Sequence, residues 1–384
     1  MKINRRNFLK VSAAASSLFF TGFGIPANAN VGKKKNLIII MLRGGMDGLT
    51  AIPIKGDKNY EKLRSEIKLD KTLSLNSDFE LHPVLKNFKD LWDQNLSAAV
   101  HATNIPYTGR SHFDGQNLME SGGKIPYEIQ TGWLGRGMKL ANLKGDGLAL
   151  SLPMPLLIRG IDKNDNYFPV RGDTLPEKEI LEIIRDNYSE NSEKELYELL
   201  NTVLNRKTIS TGSRHTYSLA LTAGQQLSRK DGPRVAVFEV DGFDTHAAQG
   251  GEHGAHADCL FETDSILKAL KTSLGDTFND TLILTLTEFG RTIKQNASNG
   301  TEHGYASAVL MAGGLLKKSQ IYTDWPGLKK KELFEGRDLN STIDARSVYA
   351  SAMSTVFDLD FKRIEKDVFF GDKLQNLSDK LFKA

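Results

Sequence analysis

Asn36–Leu42, with the sequence NLIIIML, is the stretch that decides the fold. It is continuously apolar and rich in β-branched residues, which is typical of a strand buried on both faces of a sheet. Four similar runs follow along the chain: Leu96–His101, Arg234–Val240, Thr281–Thr287 and Ala306–Ala312. Helical patterns occur between and after them, among them His82–Gln94, Phe261–Ser273 and Asp344–Phe357. Strands that alternate with crossover helices predict a mainly parallel sheet covered by helices.

The N-terminus has an export pattern. Residues 5–10 (RRNFLK) resemble the twin-arginine signal, residues 11–25 are weakly apolar, and residues 27–29 (ANA) have the small-x-small pattern that signal peptidases cut. We expect residues 1–29 to be a signal peptide, handled by the Tat translocase and signal peptidase, and the mature protein to be periplasmic or secreted. The alternative, a membrane anchor, is disfavoured because about 15 residues containing Ser, Thr and Gly are short and polar for a bilayer span. The mature form is therefore expected to have no membrane anchor.

Length and charge limit what the mature chain can be. Residues 30–384 are expected to form a single α/β domain, with a helical insertion at about 175–230, where the strand patterns stop and charged amphipathic patterns follow. The expected signal holds four basic residues and no acid, so its removal takes the formal charge from +3 to −1. Nucleic acid is therefore not expected as a partner. The only cysteine, Cys259, excludes an internal disulfide and lies in a helical pattern as a predicted core residue.

Acids and histidines lie close to the ends of the predicted strands. In an open parallel sheet the carboxyl ends of the strands define the crevice where ligands bind, so loops that are distant in sequence converge there. We expect six residues to gather at this edge, the last of them if its loop folds back: Asp47, Asp241, Asp244, His246, Glu288 and His303. Carboxylates and imidazoles together suit a divalent transition metal such as Zn or Mn. The alternative is ordinary Asp–Gly turn chemistry after each strand.

The segment Arg110–Asp114 (RSHFD) allows two interpretations. Ser111 is placed to begin a helix, where free amides and the helix dipole favour an ionised hydroxyl and an anionic substrate. Ser111 could then be a metal-activated nucleophile, with Arg110 binding the oxygens of the anion. A plain N-cap, with Asp114 in the capping-box position, explains the same residues. Arg43 and Arg291 are further candidates for anion binding, although ion pairs with nearby acids would explain them equally well.

Seven motifs, in this order, resemble the bacterial domain-of-unknown-function family 1501. They are LRGGMDGL (42–49), LHP (81–83), RSHFD (110–114), TGWLGR (131–136), DGFDTHAAQ (241–249), TEFGRT (287–292) and TEHGYA (301–306). The resemblance covers essentially the whole mature chain. Because that family is grouped with the alkaline phosphatase and sulfatase-like superfamily, it implies a three-layer α/β/α sandwich with a metal-centred site at the strand ends.

The resemblance also implies roles for individual residues. Asp241 or Asp244, with His246 and His303, would hold one metal ion, whereas Asp47, Ser111 and Glu288 would surround a second. The chain departs from the superfamily at two points. Arg43 stands where the phosphatases place an Asp directly after the first strand, and Glu288-Phe289 stands where they place Asp-His. One ion is therefore expected rather than two. The sulfatase branch is disfavoured because Cys259 has no C/S-x-P-S-R surroundings.

Three functions remain open at this point. The first is an exported metal-dependent hydrolase of phosphate or sulfate esters that uses Ser111. The second is a non-catalytic periplasmic protein on the same fold, which binds an envelope component or polymer. The third is a structural protein that only binds a metal. A small anionic ester or an envelope polymer is thus the expected ligand.

Overall fold

The computed structural model describes residues 34–150, 153–167, 178–186, 197, 200, 201, 204 and 215–383. The expected signal peptide, residues 1–29, lies outside these residues, as does about half of the predicted helical insertion. Among the described residues, no helix has the length and apolar character needed to cross a membrane.

Eleven strands and eleven α-helices lie in the described part of the chain. The strands are β1 (Asn36–Leu42), β2 (Leu73–Ser74), β3 (Glu80–Leu81), β4 (Ser97–Asn104), β5 (Gly147–Leu150), β6 (Asp165–Tyr167), β7 (Val235–Val240), β8 (Thr281–Leu286), β9 (Ser307–Ala312), β10 (Ile321–Tyr322) and β11 (Ile343–Asp344). The helices are α1 (Gly48–Ala51), α2 (Lys58–Leu63), α3 (Lys86–Asp93), α4 (His112–Ser121), α5 (Trp133–Leu140), α6 (Lys178–Asp186), α7 (Thr216–Ser228), α8 (Ala255–Leu274), α9 (Ala345–Phe357), α10 (Phe361–Asp367) and α11 (Ser378–Leu381).

A nine-stranded sheet forms the centre of the structure, in the order β10-β4-β9-β8-β1-β7-β5-β6, with β11 also paired to β4. The central strand β1 is parallel to both β7 and β8. Only β9 is antiparallel to its neighbours, β4 and β8. The prediction of a mainly parallel sheet is confirmed. Because β9 runs in the opposite direction, it begins at the edge of the sheet where the parallel strands end.

Helices cover both faces of this sheet. All seven residues of β1 are buried, and its apolar side chains alternate between two hydrophobic clusters. Leu37, Ile39 and Met41 belong to the cluster that includes residues of α5 and α9, whereas the side chains between them belong to the cluster that includes residues of α3, α7 and α8. The three-layer α/β/α sandwich is therefore confirmed.

The helix boundaries differ from the predictions for local reasons. α3 begins only at Lys86, because His82 and Pro83 form a turn in which the amide of Leu85 donates to the carbonyl of His82. α9 begins one residue after Asp344, whose carboxylate accepts from the amide of Arg346 at 2.9 Å as an N-cap. Cys259 lies in α8 and packs in the core, as predicted, and burial raises the pKa of its thiol to about 11.

Candidate metal centre

Three histidines and one aspartate converge at the carboxyl edge of the sheet. His112 lies in the first turn of α4, Asp244 and His246 follow β7, and His303 precedes β9. The Nε2 atom of His303 lies 2.9 Å from the Nε2 atoms of His112 and His246 and 3.1 Å from Asp244 Oδ1. Asp244 Oδ1 in turn lies 3.3 Å from His112 Nε2 and 3.0 Å from His246 Nε2. We call these four residues the His–Asp cluster.

The other ring nitrogen of each histidine contacts an acceptor. These contacts are His112 Nδ1 to Glu288 Oε1 at 2.9 Å, His246 Nδ1 to Glu302 Oε2 at 2.8 Å, and His303 Nδ1 to the carbonyl oxygen of Arg110 at 2.7 Å. Since ionised carboxylates and carbonyls only accept, a proton on Nδ1 of each ring satisfies these contacts, and a neutral ring in that tautomer directs the lone pair of Nε2 into the cluster. Lone pairs and a carboxylate oxygen at such short distances repel one another unless a metal ion or a proton lies among them.

The donor set fits a zinc ion. His112, Asp244 and His303 offer ligand atoms that all lie within 4.8 Å of one another. Tetrahedral Zn–N bonds of about 2.0 Å place neighbouring ligand atoms about 3.3 Å apart, which is close to the distances from His303 Nε2 and Asp244 Oδ1 to the other ligand atoms. Histidines whose second nitrogen is held by a carboxylate or carbonyl are typical of protein metal sites. Imidazole ligands also favour Zn over Mn, which prefers oxygen ligands.

The charge of Asp244 is compatible with this role. Partial burial acts to raise the pKa of its carboxyl, but the hydrogen bond and charge of Arg291, together with the nearby imidazoles, lower it to about 2. Arg291 Nη1 donates to Asp244 Oδ1 at 2.8 Å. The carboxylate is therefore ionised at neutral pH.

A pocket of about 290 Å³ opens beside the cluster and is lined by Arg43, Gly44, His112, Gln116, Asp241 and Asp244. Asp241, one of the predicted ligands, thus faces the same space as Asp244. Burial, followed by the charge of Glu239, raises the pKa of the Asp241 carboxyl. Asp244, rather than Asp241, has its carboxylate among the histidine Nε2 atoms.

Glu288 lies next to the cluster but supports it from behind. Its buried carboxylate oxygen Oε1 accepts from the amide of Gly44 at 2.9 Å and from Gln116 Nε2 at 3.1 Å, in addition to its contact with His112. Oε1 is thus in contact with two donors and with His112, and the predicted ligand role of Glu288 stays a prediction.

Asp47 is part of a buried ion pair. Its carboxylate caps α1 and accepts from Arg64 Nη1 at 2.6 Å and from Gln249 Nε2 at 2.8 Å. Arg64 is fully buried and also donates to the carbonyls of Thr292 and Ile293. The sequence did not reveal Arg64 as the partner of Asp47, whose predicted ligand role stays a prediction.

A chain of hydrogen bonds connects this ion pair to the His–Asp cluster. Gln249 Oε1 accepts from Thr301 Oγ1 at 2.5 Å, and Thr301 Oγ1 accepts from Arg291 Nε at 3.1 Å. Arg291 then donates to Asp244. The Asp47–Arg64 pair therefore stabilises the loops that carry the candidate ligands.

The three arginines expected to bind an anion are paired within the protein. The contacts are Arg43 with Glu120 and Glu239, Arg110 with Glu335 and Asp338, and Arg291 with Asp244 and Thr301. Arg43 and Arg110 form ion pairs, which is the alternative to anion binding. Arg291 pairs with Asp244 and orients its carboxylate in the cluster. Of the three, only Arg43 lines the pocket.

Ser111 is the N-cap of α4, since its Oγ accepts from the amide of Asp114 at 3.5 Å. In a full capping box the amide of Ser111 would donate to the side chain of Asp114. Here it donates instead to the hydroxyl of Tyr107 at 3.0 Å. Ser111 directly precedes His112, so its hydroxyl belongs to the same helix end as the cluster. Its role as a nucleophile stays a prediction.

Sequence reasoning missed His112 and Glu302. His112 lies in the RSHFD motif, directly after the candidate nucleophile Ser111. A histidine in the first turn of a helix that starts near the strand ends is a signal that could have identified it. Glu302 directly precedes His303 in TEHG, and its carboxylate contacts His246 rather than its neighbour.

Replacing Glu288 by glutamine should weaken zinc binding about tenfold or more, because a neutral amide is a poorer acceptor for His112 Nδ1 and no longer raises the basicity of the ring. Competition with a chromophoric chelator measures the affinity. Glu302→Gln is the matched control, since Glu302 supports His246 from a position that is 52% exposed. An affinity that falls less in Glu288→Gln than in Glu302→Gln would contradict the positioning role.

Residues 209–366 match the family model described as protein of unknown function (DUF1501). No curated protein matches the chain in sequence.

Among solved structures, the chain is similar to a protein in the alkaline phosphatase superfamily from Vibrio parahaemolyticus, with 11% identity over 97% of this chain and 80% of that one and a TM-score of 0.42. It is also similar to murine ectonucleotide pyrophosphatase / phosphodiesterase 5 in complex with AMP, with 10% identity, coverage of 91% and 100%, and a TM-score of 0.42. A third is the C-terminal periplasmic domain of Escherichia coli EptC in complex with Zn, with 8% identity, coverage of 74% of each chain and a TM-score of 0.36.

Proposed function

We propose that this protein, which matches the DUF1501 family model over residues 209–366, is an exported metal-dependent hydrolase of phosphate or sulfate esters, with one zinc ion held by the His–Asp cluster. One observation supports the metal more than any other. Three imidazole Nε2 atoms and a carboxylate oxygen converge, while each outward ring nitrogen contacts an acceptor. The export part of the proposal rests on the pattern of residues 1–29.

A zinc ion bound there would act as a Lewis acid on an ester oxygen or on an attacking hydroxyl. The chain itself supplies the surroundings. Ser111 presents a hydroxyl at the N-terminus of α4, where free amides and the helix dipole stabilise negative charge. Glu288, which accepts from Gln116, holds His112 in place, and Arg43 lines the pocket beside it. In this scheme the Ser111 oxygen attacks phosphorus or sulfur, the bond to the alcohol breaks, and water later releases the acid from the serine.

Replacing Ser111 by alanine should abolish hydrolysis of aryl phosphate and sulfate esters while leaving the zinc content unchanged. Loss of the N-cap itself costs about 1 kcal/mol of stability. Asp360→Ala is therefore the matched control, because Asp360 caps α10 through the amide of Arg363 at 2.9 Å. Turnover that survives in Ser111→Ala would remove Ser111 as the nucleophile. A protein that hydrolyses none of the esters would instead contradict the hydrolase proposal.

A non-catalytic binding protein is the second candidate. The pairing of Arg43, Arg110 and Arg291 within the protein favours it, because no guanidinium among them is left without an acidic partner. Zinc-loaded protein that hydrolyses no ester but binds purified envelope polymer would support this candidate. A third outcome, in which chelation lowers the melting temperature and no ligand is found, would identify a structural metal.

A further inference from the structure

Asp338 holds two arginines from a fully buried position. Its carboxylate accepts from Arg110 Nη2 at 2.8 Å and from Arg337 Nε at 2.8 Å. The side chain of Asp338 is 0% exposed, and its backbone is bridged to Thr292 and to Phe334. Residues 334–338, which we call the strap, thus carry a buried carboxylate between two cations. The contacts already described do not explain why that charge is placed there.

Both arginines lead to His303. The carbonyl of Arg110 accepts from His303 Nδ1 at 2.7 Å, and Arg337 Nη2 donates to the carbonyl of His303. Arg110 has a φ of +56°, a backbone conformation that is costly for a residue with a side chain and that persists only when the surroundings impose it. The ion pair with Asp338 fixes the side chain of this residue against the strap.

Aromatic contacts hold the same segments together. The Arg110 guanidinium lies 5.9 Å from the centre of the Phe334 ring. Phe334 stacks on Tyr305 with ring centres 4.0 Å apart, and Tyr305 is two residues after His303. The strap therefore contacts the side chains of Arg110 and Tyr305 and the carbonyl of His303.

We propose that Asp338 is a positioning residue of the metal centre, which fixes the ring and the backbone of His303 through Arg110 and Arg337. This inference rests on the proposed metal binding. Outer-shell partners of metal-binding histidines typically contribute 10-fold to 100-fold to metal affinity. Asp338 acts through a further residue, so the lower end of that range applies.

The test compares Asp338→Asn with Glu335→Gln. Glu335 pairs with the same Arg110 Nη2 at 2.6 Å but is 56% exposed, so its loss should have little effect. We expect Asp338→Asn to raise the dissociation constant for zinc about tenfold. In the metal-free protein, hydrogen exchange should become faster at residues 301–306 but not in β1. Glu335→Gln should change neither quantity.

Equal zinc affinity and equal exchange in Asp338→Asn and the unchanged protein would overturn the proposal, as would equal effects of the two variants. If Asp338→Asn does not fold, Arg337→Gln decides the question, since it keeps the Asp338 carboxylate and its pair with Arg110 but removes the bonds of Arg337 to the carbonyl of His303 and to Asp338, from a side chain that is 44% exposed. Wild-type zinc affinity and exchange in Arg337→Gln would then overturn the proposal. If the unchanged protein binds no zinc, the metal-dependent function fails, and the exchange of the metal-free variants still decides the role of Asp338.

Discussion

Replacing His303 by alanine is expected to abolish stoichiometric zinc binding. The Nε2 atom of His303 lies within 3.1 Å of three other candidate ligand atoms, so its loss removes the centre of the His–Asp cluster. The affinity should fall by more than the roughly 100-fold that loss of an outer-shell partner causes. His246→Ala should also lose the ion, although His246 is the more exposed histidine.

Elemental analysis of the purified protein measures this directly. His253→Ala is the matched control, because His253 is exposed on the loop before α8 and takes no part in the cluster. Chelation should lower the melting temperature of the unchanged protein and leave that of His303→Ala unaffected, since ligands stabilise only the state that binds them. One equivalent of zinc in His303→Ala would contradict the assignment of the site. Absence of metal from the unchanged protein would favour the non-catalytic binding protein.

Removal of the buried Asp47–Arg64 ion pair is expected to have a large effect on stability. Arg64→Met should lower the free energy of unfolding by about 3–5 kcal/mol at neutral pH, because it leaves the buried Asp47 carboxylate without its cation. Lys89→Met is the control, since Lys89 pairs with Asp93 at the surface and such pairs contribute less than about 1 kcal/mol. Urea unfolding of the variants measures both. A loss in Arg64→Met no larger than in Lys89→Met would contradict a structural role of the pair.

The pH dependence gives this variant a distinctive signature. Burial alone would raise the pKa of Asp47, but Arg64 and the other donors hold it well below its usual range. A depressed folded-state pKa gives stability that is present above the unfolded value of about 4 and is lost as the pH falls. In Arg64→Met the pKa of Asp47 rises, so protonation relieves the uncompensated charge. The difference in free energy of unfolding between Arg64→Met and the unchanged protein should therefore become smaller from pH 7 toward pH 3. A difference that stays constant with pH would show that the Asp47 carboxylate does not cause the loss of stability.

The fold was predictable because its decisive element is local. The run Asn36–Leu42 contains no polar residue after Asn36, so neither face of that strand can lie against water. The direction of β9 was not predictable, because an apolar run has the same pattern in either direction. The expectation that His303 reaches the site depended on that direction, and the antiparallel β9 supplies the reason.

The site was only partly predictable, because residue types and their spacing in the sequence do not identify which residues form ion pairs in the folded protein. Asp244, His246 and His303 do converge. Asp47 has the same residue type and a comparable position after a strand, but Arg64 lies 17 residues further on and takes its carboxylate. The pairing of Arg110 is similar, since Asp338 is 228 residues away. Such contacts exist only once the loops are packed.

The antiparallel β9 also determines how the two sides of the sheet are joined. Within the described residues, β4 and the two short strands paired with it, β10 and β11, are joined to the other strands of the sheet through β9 alone. His112 follows β4 on one side of β9, whereas Asp244 and His246 follow β7 on the other side. An ion bound by these residues would link the part of the sheet that contains β4 to the part that contains β7. Opening of the β4–α4 unit would then require release of the ion, so that occupancy of the site and local unfolding of this unit exclude each other.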